Sequence, residues 1–414
     1  MTHSNRNHRL PRRMVISPPP SKAALAELAC SPYISRADLI VRGQGVILFY
    51  AAGPCGLVFY DANNVVKLRV RFTEAGVRVQ MEPSMKPLID IDAKPCITTR
   101  DGVYYWFSID SHNQRLYAGV GETRIENIVY SYTFPQDSAS ATVTPFLESL
   151  FGVEGINLQI TTLLRDPITR RLPLLIKDTE ELTMDSIALA TYFPKTNLSL
   201  TAQKLYNCIA GKQFVLDTPD FPEFTKAIEY SIATPGKWCY ECLKQKATEF
   251  SKDKPNYEET YLRITLGENN GESPGIPYVM EIWPVGHYSP VHNHGGSSAI
   301  VRVLRGSIHV TIFPYLSSDG VAPCIAADVN TGDITWISPN LNQVHQLKNL
   351  DTQKDTCITI QCYMYEDDNT EHYDYFDYIE ESQGTQQFEP NSDMEFIEFK
   401  RLMKKEWFEH RFAW

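Results

Sequence analysis

The chain is predicted to be mainly β, an N-terminal β-sandwich followed by a few helices and a second β-rich unit. Three observations predict this. Between about residues 31 and 135, short strand-like runs, some continuous and some alternating apolar with polar residues, fall at Val46–Tyr50, Val65–Phe72, Val77–Met81, Val103–Ser108 and Arg115–Val120, as expected of strands. A second series of strand-like runs extends from Glu259 to about Met364. Capped segments of helical period separate the two series.

Each element follows from local chemistry. Met1–Lys22 carries Arg6, Arg9, Arg12, Arg13 and Lys22 with no acidic residue, and also Pro18, Pro19 and Pro20. Residues 1–30 are therefore expected to be a disordered basic arm, the prolines breaking the amphipathic helix that a mitochondrial presequence needs. In the sandwich, expected over 31–135, the turn signals Asp61–Asn64 and Asp101–Gly102 separate strands. Its aromatics Tyr104, Tyr105, Trp106 and Phe107 are expected in the core. Residues 136–198 are interrupted by Pro145, Pro167, Pro173 and Pro194 and read as a connector with one short helix at Thr183–Thr191. Ser199 is expected to cap a helix over Thr201–Ala210 that Gly211 stops. Two more are expected at Glu223–Ile232, ended by Pro235-Gly236, and around Trp238–Glu249. After the strands of the second unit, expected within 199–385, residues 386–414 hold a last amphipathic helix, Met394–His410. Asp393 is expected to cap it, and Phe396, Phe399, Leu402 and Met403 to dock it.

Composition narrows the function classes. With 414 residues, 43% hydrophobic and 21% charged, this is an ordinary globular composition. A net charge of −11 speaks against nucleic acid as a partner. No apolar run reaches the ~20 residues of a membrane-spanning helix. The nine cysteines are odd in number and scattered, as expected of free thiols in a reducing compartment, so the expected location is cytoplasmic. Cys239 and Cys242 form a C-x-x-C without a second pair, and ordinary packing is the expected role.

The chemistry lies in the second unit. His292 and His294 alternate on one strand and so point to the same face; His345 follows in a later strand. Gly286 and Gly306 frame the first pair, while Gly332, Pro339 and Asn349 frame His345. This pattern resembles the two motifs of the cupins, which implies a double-stranded β-helix. The position where cupins usually carry a glutamate ligand is Ala299. Three histidines without a carboxylate leave a first-row metal with uncompensated charge and about three open coordination positions.

An all-histidine cupin is similar to the cysteine dioxygenase family, and the resemblance extends over about residues 200–380. It implies Fe(II) held by His292, His294 and His345, Arg263 gripping a substrate carboxylate beside Tyr261, and Tyr363 as the active-site tyrosine. Trp283 and His287 also fall in family positions, His287 as a neighbour of the site rather than a ligand. The chain departs from the family twice. Ala299 stands where animal members carry a cysteine bonded to the tyrosine, so that thioether cannot form, and Cys362 faces the other way. The family's Ser-x-His-x-Tyr is here Thr359-Ile360-Gln361-Cys362-Tyr363, and an amide cannot relay protons as imidazole does. The expected function is a thiol dioxygenase converting cysteine and dioxygen to cysteine sulfinate. A related thiol such as 3-mercaptopropionate, or a metal-binding module with decayed catalysis, are the alternatives. Apart from a small thiol and dioxygen, no nucleic acid or membrane is expected as partner.

Overall fold

A computed structural model describes residues 34–82, 87–91, 103–135, 140–251, 253–267, 277–366, 375–380 and 382–412. The expected arm over 1–30 and the Asp101–Gly102 turn lie outside the described residues. The chain divides into two compact units, Met1–Val120 with Ile128–Ile168, and Gly121–Asn127 with Thr169–Trp414.

The first unit is a sandwich of two antiparallel sheets. Its strands are β1 (Ile34–Asp38), β2 (Gln44–Tyr50), β3 (Cys55–Tyr60), β4 (Val66–Phe72), β5 (Val77–Met81), β6 (Pro87–Ile91), β7 (Tyr105–Asp110), β8 (Arg115–Val120), β9 (Ile128–Thr133), β10 (Gly152–Ile156) and β11 (Gln159–Leu164). One sheet runs β1-β10-β3-β4-β5-β6 and the other β11-β2-β7-β8-β9. In β4 the inward Leu68, Val70 and Phe72 are buried while Arg69 and Arg71 are exposed, as alternation requires. Rings interlock across the two sheets, Phe49 with Phe72 at 5.1 Å and Phe59 with Phe107 at 5.8 Å between centroids. Tyr105, Trp106 and Phe107 are buried core residues.

The stretch read as a connector differs from its expectation. Residues 140–148 form a helix despite Pro145, and β10 and β11 complete both sheets of the sandwich. β10 inserts between β1 and β3, a pairing distant in sequence that local pattern does not reveal.

The second unit is mainly β, with two sheets that face each other across a cavity, as in a double-stranded β-helix. Two short strands, β12 (Ile176–Lys177) and β13 (Phe193–Pro194), precede three helices, Leu200–Ile209, Phe224–Ala233 and Trp238–Lys246. Then come β14 (Leu262–Leu266), β15 (Tyr278–Trp283), β16 (Ser298–Arg305), β17 (Ser307–Ile312), β18 (Ile325–Asn330), β19 (Ile334–Ile337), β20 (His345–Lys348), β21 (Cys357–Met364), β22 (Phe376–Glu380), β23 (Gly384–Phe388) and β24 (Met394–Glu395). One sheet has the order β19-β16-β21-β15-β14-β24 and a second β18-β17-β20, with the hairpin β22-β23 beside it.

Alternation sorts the two faces of the large sheet. Leu262, Ile264, Met280, Ile282 and Ile358 pack outward against helices through Phe224, Ile228, Leu243, Phe399 and Met403. Each such buried aliphatic or aromatic side chain contributes roughly 1.5–3 kcal/mol. The opposite face of β14, β15 and β21 therefore presents Arg263, Glu281, Trp283, Thr359, Gln361 and Tyr363 to the space between the sheets.

The helix starts follow side-chain capping. Ser199 accepts from the Ala202 amide, as expected. The last helix is a correction: it spans Phe396–Arg411, and Glu395, not Asp393, caps it by accepting from the Ile397 and Glu398 amides. Asp393 is engaged elsewhere, taking the Arg263 amide at 2.6 Å and the Lys246 ammonium at 3.0 Å. Met394 and Glu395 meanwhile pair with Ile264 and Thr265, which holds the backbone extended and delays the helix.

Candidate metal centre

Two segments deliver the three histidines. His292 bridges two strands: it exchanges both backbone hydrogen bonds with His345 at 3.0 Å, and it pairs on its other side with Tyr378. His294, two residues on, returns to the same face. Asn293 faces away and donates to the Asp377 carboxylate at 3.1 Å. After His294 the chain reverses through Gly295 and Gly296, both at positive φ, a conformation glycine adopts without the Cβ penalty. The three imidazoles form a nearly equilateral cluster, with ring centroids 4.8, 4.9 and 5.0 Å apart. One ligand nitrogen from each lies within 4.8 Å of the others.

Hydrogen bonding sets which nitrogen faces inward. His292 Nδ1 lies 3.0 Å from the Pro290 carbonyl and His345 Nδ1 3.0 Å from the Asn342 carbonyl. A carbonyl only accepts, so both Nδ1 atoms carry the proton and both Nε2 atoms keep a lone pair. Burial drives the His292 imidazole down to about 3 and His345 to about 4, with His345 further lowering His292, and burial takes His294 well below its usual range. All three are neutral bases near pH 7. His294 Nε2 approaches His345 Nε2 to 3.3 Å, and His294 Nδ1 is buried without a partner. A cation among the Nε2 atoms gives each lone pair a partner, so this donor set fits a divalent first-row metal.

A polar frame fixes the loop that presents His345. Asn342, in a left-handed conformation at φ 63°, donates to the Trp336 carbonyl at 2.8 Å and accepts from Arg124 at 2.6 Å. Next to it, Gln343 donates to the Ser297 carbonyl at 2.8 Å and accepts from the Gly296 amide at 3.1 Å, tying the His345 loop to the His294 turn. Its own amide donates to Glu122 at 2.8 Å, and Glu122 pairs with Arg124 at 2.9 Å. Both charged side chains are buried. They come from Gly121–Asn127, far earlier in sequence, and local spacing could not have revealed them.

The other sequence-predicted residues have distinct places. Tyr261, Arg263, Trp283, Thr359, Gln361 and Tyr363 line the same cavity as the histidines. Tyr363 lies parallel to His294 at 5.6 Å between centroids, and the Arg263 guanidinium stands 5.9 Å from the tyrosine ring centre. Burial pushes the Tyr363 hydroxyl well above its ordinary range, with Glu281 adding to the shift and Arg263 opposing it. It is therefore a proton donor at neutral pH. Tyr261 stacks on Trp283 at 4.2 Å. Thr359 Oγ1 is buried without a hydrogen-bond partner, and the Gln361 side chain is directed to the Glu281 carboxylate. His287 is not in the cluster; its Nδ1 donates to the Thr260 carbonyl at 2.9 Å and its ring meets Tyr257 edge-on. Ala299 is buried directly opposite Tyr363, so the slot offers only a methyl group.

One residue of the cavity escaped the sequence reading. Glu281 stands directly across from Arg263 on the neighbouring strand, Nη1 to Oε1 at 2.8 Å. Burial raises its carboxyl, and Arg263 opposes that rise. The signal was present: Glu281 lies two residues before Trp283, and period two puts both on one face.

No known protein-family profile matches this chain. Among solved structures it is similar to the Schizosaccharomyces pombe Cnp3 cupin domain, with 14% identity over 26% of this chain and 65% of that one at a TM-score of 0.20. It is also similar to oxalate oxidase in complex with the substrate analogue glycolate, with 19% identity over 27% of this chain and 54% of that one at a TM-score of 0.22. A DMSP lyase from Ruegeria pomeroyi gives 18% identity over 27% of this chain and 49% of that one at a TM-score of 0.19. The chain thus spans less than two thirds of each of these proteins. Among the described residues no helix is long and apolar enough to cross a membrane.

Proposed function

We propose that the second unit is an Fe(II)-dependent thiol dioxygenase, with small thiols and dioxygen as substrates: R–SH + O2 gives R–SO2H. Both oxygen atoms go to sulfur, which loses four electrons while dioxygen gains four, so no outside reductant is needed. From cysteine the product is cysteine sulfinate. The observation that carries this reading is the composition of one cavity: three neutral imidazoles with no carboxylate among them, flanked by Tyr363 and Arg263.

Iron(II), held by His292, His294 and His345, would supply the redox chemistry that joins dioxygen to a thiolate. The remaining steps belong to the chain itself. The buried, protonated Tyr363 hydroxyl can donate a hydrogen bond to a thiol substrate in the cavity, and its ring lies nearly parallel to His294. Val301, Ile308 and Val310 line the cavity with apolar surface and keep water from the reacting groups. Arg263 provides the fixed positive charge next to Tyr363, and burial of both strengthens their interaction.

The test is anaerobic reconstitution with iron(II), followed by oxygen uptake in the presence of cysteine, cysteamine, cysteinamide and 3-mercaptopropionate. Stoichiometric sulfinate formation with at least one thiol is expected. If iron binds but no thiol consumes oxygen, the reading fails.

A further inference from the structure

We infer that Glu281 is a specificity-determining residue that turns the cavity toward 2-aminothiols bearing a neutral carbonyl, such as cysteine amides, and away from free α-carboxylates. This rests on the thiol dioxygenase reading. Arg263 and Glu281 are the only charged residues lining the cavity among the described residues. Their side chains are 10% and 5% exposed, and they meet at 2.8 Å, so the cation already has its counter-ion inside the protein. A substrate carboxylate would place a second anion on the same guanidinium in a desolvated site, where like charges disfavour each other strongly. The cavity nevertheless asks for an acceptor. Arg263 Nε and Thr359 Oγ1 are buried there without partners, and leaving such donors unpaired is costly. An uncharged amide or ester carbonyl satisfies donors of this kind without adding charge.

The experiment measures anaerobic affinity of the iron-loaded full chain for cysteinamide, the dipeptide Cys-Gly and cysteine, in the wild type and in Glu281→Gln. Cysteinamide is expected to bind on the order of tenfold more tightly than cysteine, because only cysteine brings an extra buried charge. In Glu281→Gln, which keeps the side-chain shape, that ratio should fall about tenfold by the same argument. Comparing the two ratios cancels the intrinsic acidities of the thiols. Cys-Gly binding like cysteinamide identifies an N-terminal cysteine as the source of the carbonyl; Cys-Gly binding far more weakly identifies a small amide. Should Glu281→Gln not fold, Glu281→Leu with Arg263→Met removes both charges and should equalise cysteine and cysteinamide. The inference is overturned if cysteine binds as tightly as cysteinamide in the wild type, or if the ratio does not move on substitution. Oxygen uptake separates the two claims: cysteine preference with turnover sinks the role of Glu281 and leaves the reaction, whereas the expected affinities without turnover sink the reaction. If no thiol binds, both fall.

Discussion

The two ends of the cavity solve opposite electrostatic problems. At one end, three buried bases are kept uncharged, two of them oriented by backbone carbonyls, and the site gains from the arrival of a cation. At the other, a full positive charge is buried and neutralised internally by Glu281. The difference teaches that the metal end is incomplete without a ligand of its own, while the arginine end is electrostatically closed before substrate arrives. Metal affinity should therefore depend on loop geometry, and substrate choice on a cross-strand ion pair.

The largest expected effect breaks the metal end. His345→Ala removes one of three ligands while leaving its backbone pairing with His292 in place, and iron binding should fall by at least about 100-fold, read as iron retained after gel filtration. Next comes the arginine end. Arg263→Ala leaves Glu281 buried and unpaired, which should cost about 3–5 kcal/mol in a denaturant melt, whereas replacing both partners by apolar residues should recover most of that loss. A smaller effect reaches the metal end through its frame. Arg124→Met removes a partner of Asn342 and should weaken metal binding about tenfold or more by loosening a group that orients a ligand; cobalt(II) titration reads this directly, and unchanged affinity with an unchanged ligand-field spectrum would show that Arg124 only fills space.

The smallest effect near neutrality is on pH dependence. His292 and His345 titrate at about 3 and about 4 in the folded protein, below the ordinary value of about 6.5. The unfolded chain therefore binds protons first as pH falls. The stability of the metal-free protein contributed by these groups is full above about pH 6.5 and declines as pH drops through about 4. Denaturant midpoints between pH 7 and 4 check the slope, and a flat profile would mean the imidazoles are not buried neutral.

The two ends also differ in how far they were legible in the sequence. His292, His294 and His345 stand out because period two and the flanking glycines constrain them locally. Arg263 and Tyr363 became visible through a family resemblance, and both line the cavity that holds the histidines. Glu281 went unnoticed because its meaning depends on register: only the pairing of β14 with β15 sets it opposite Arg263. Glu122 and Arg124 were out of reach for a stronger reason, since their partners Asn342 and Gln343 lie more than 200 positions away. The same limit applied to the sandwich: β2, β4, β5, β7 and β8 were legible as short apolar or alternating runs, whereas β10 and β11 were hidden among prolines and a helix. Asp393 illustrates competition: a good capping residue by type, it is taken by Lys246 and the Arg263 amide instead.

The most direct test of the central claim is mass spectrometry of the product formed by the iron-loaded protein from a small thiol under 18O2. A thiol dioxygenase gives a sulfinate carrying two labelled oxygen atoms. Oxygen consumption that instead yields disulfide and hydrogen peroxide, or a sulfinate with unlabelled oxygen, would contradict the account.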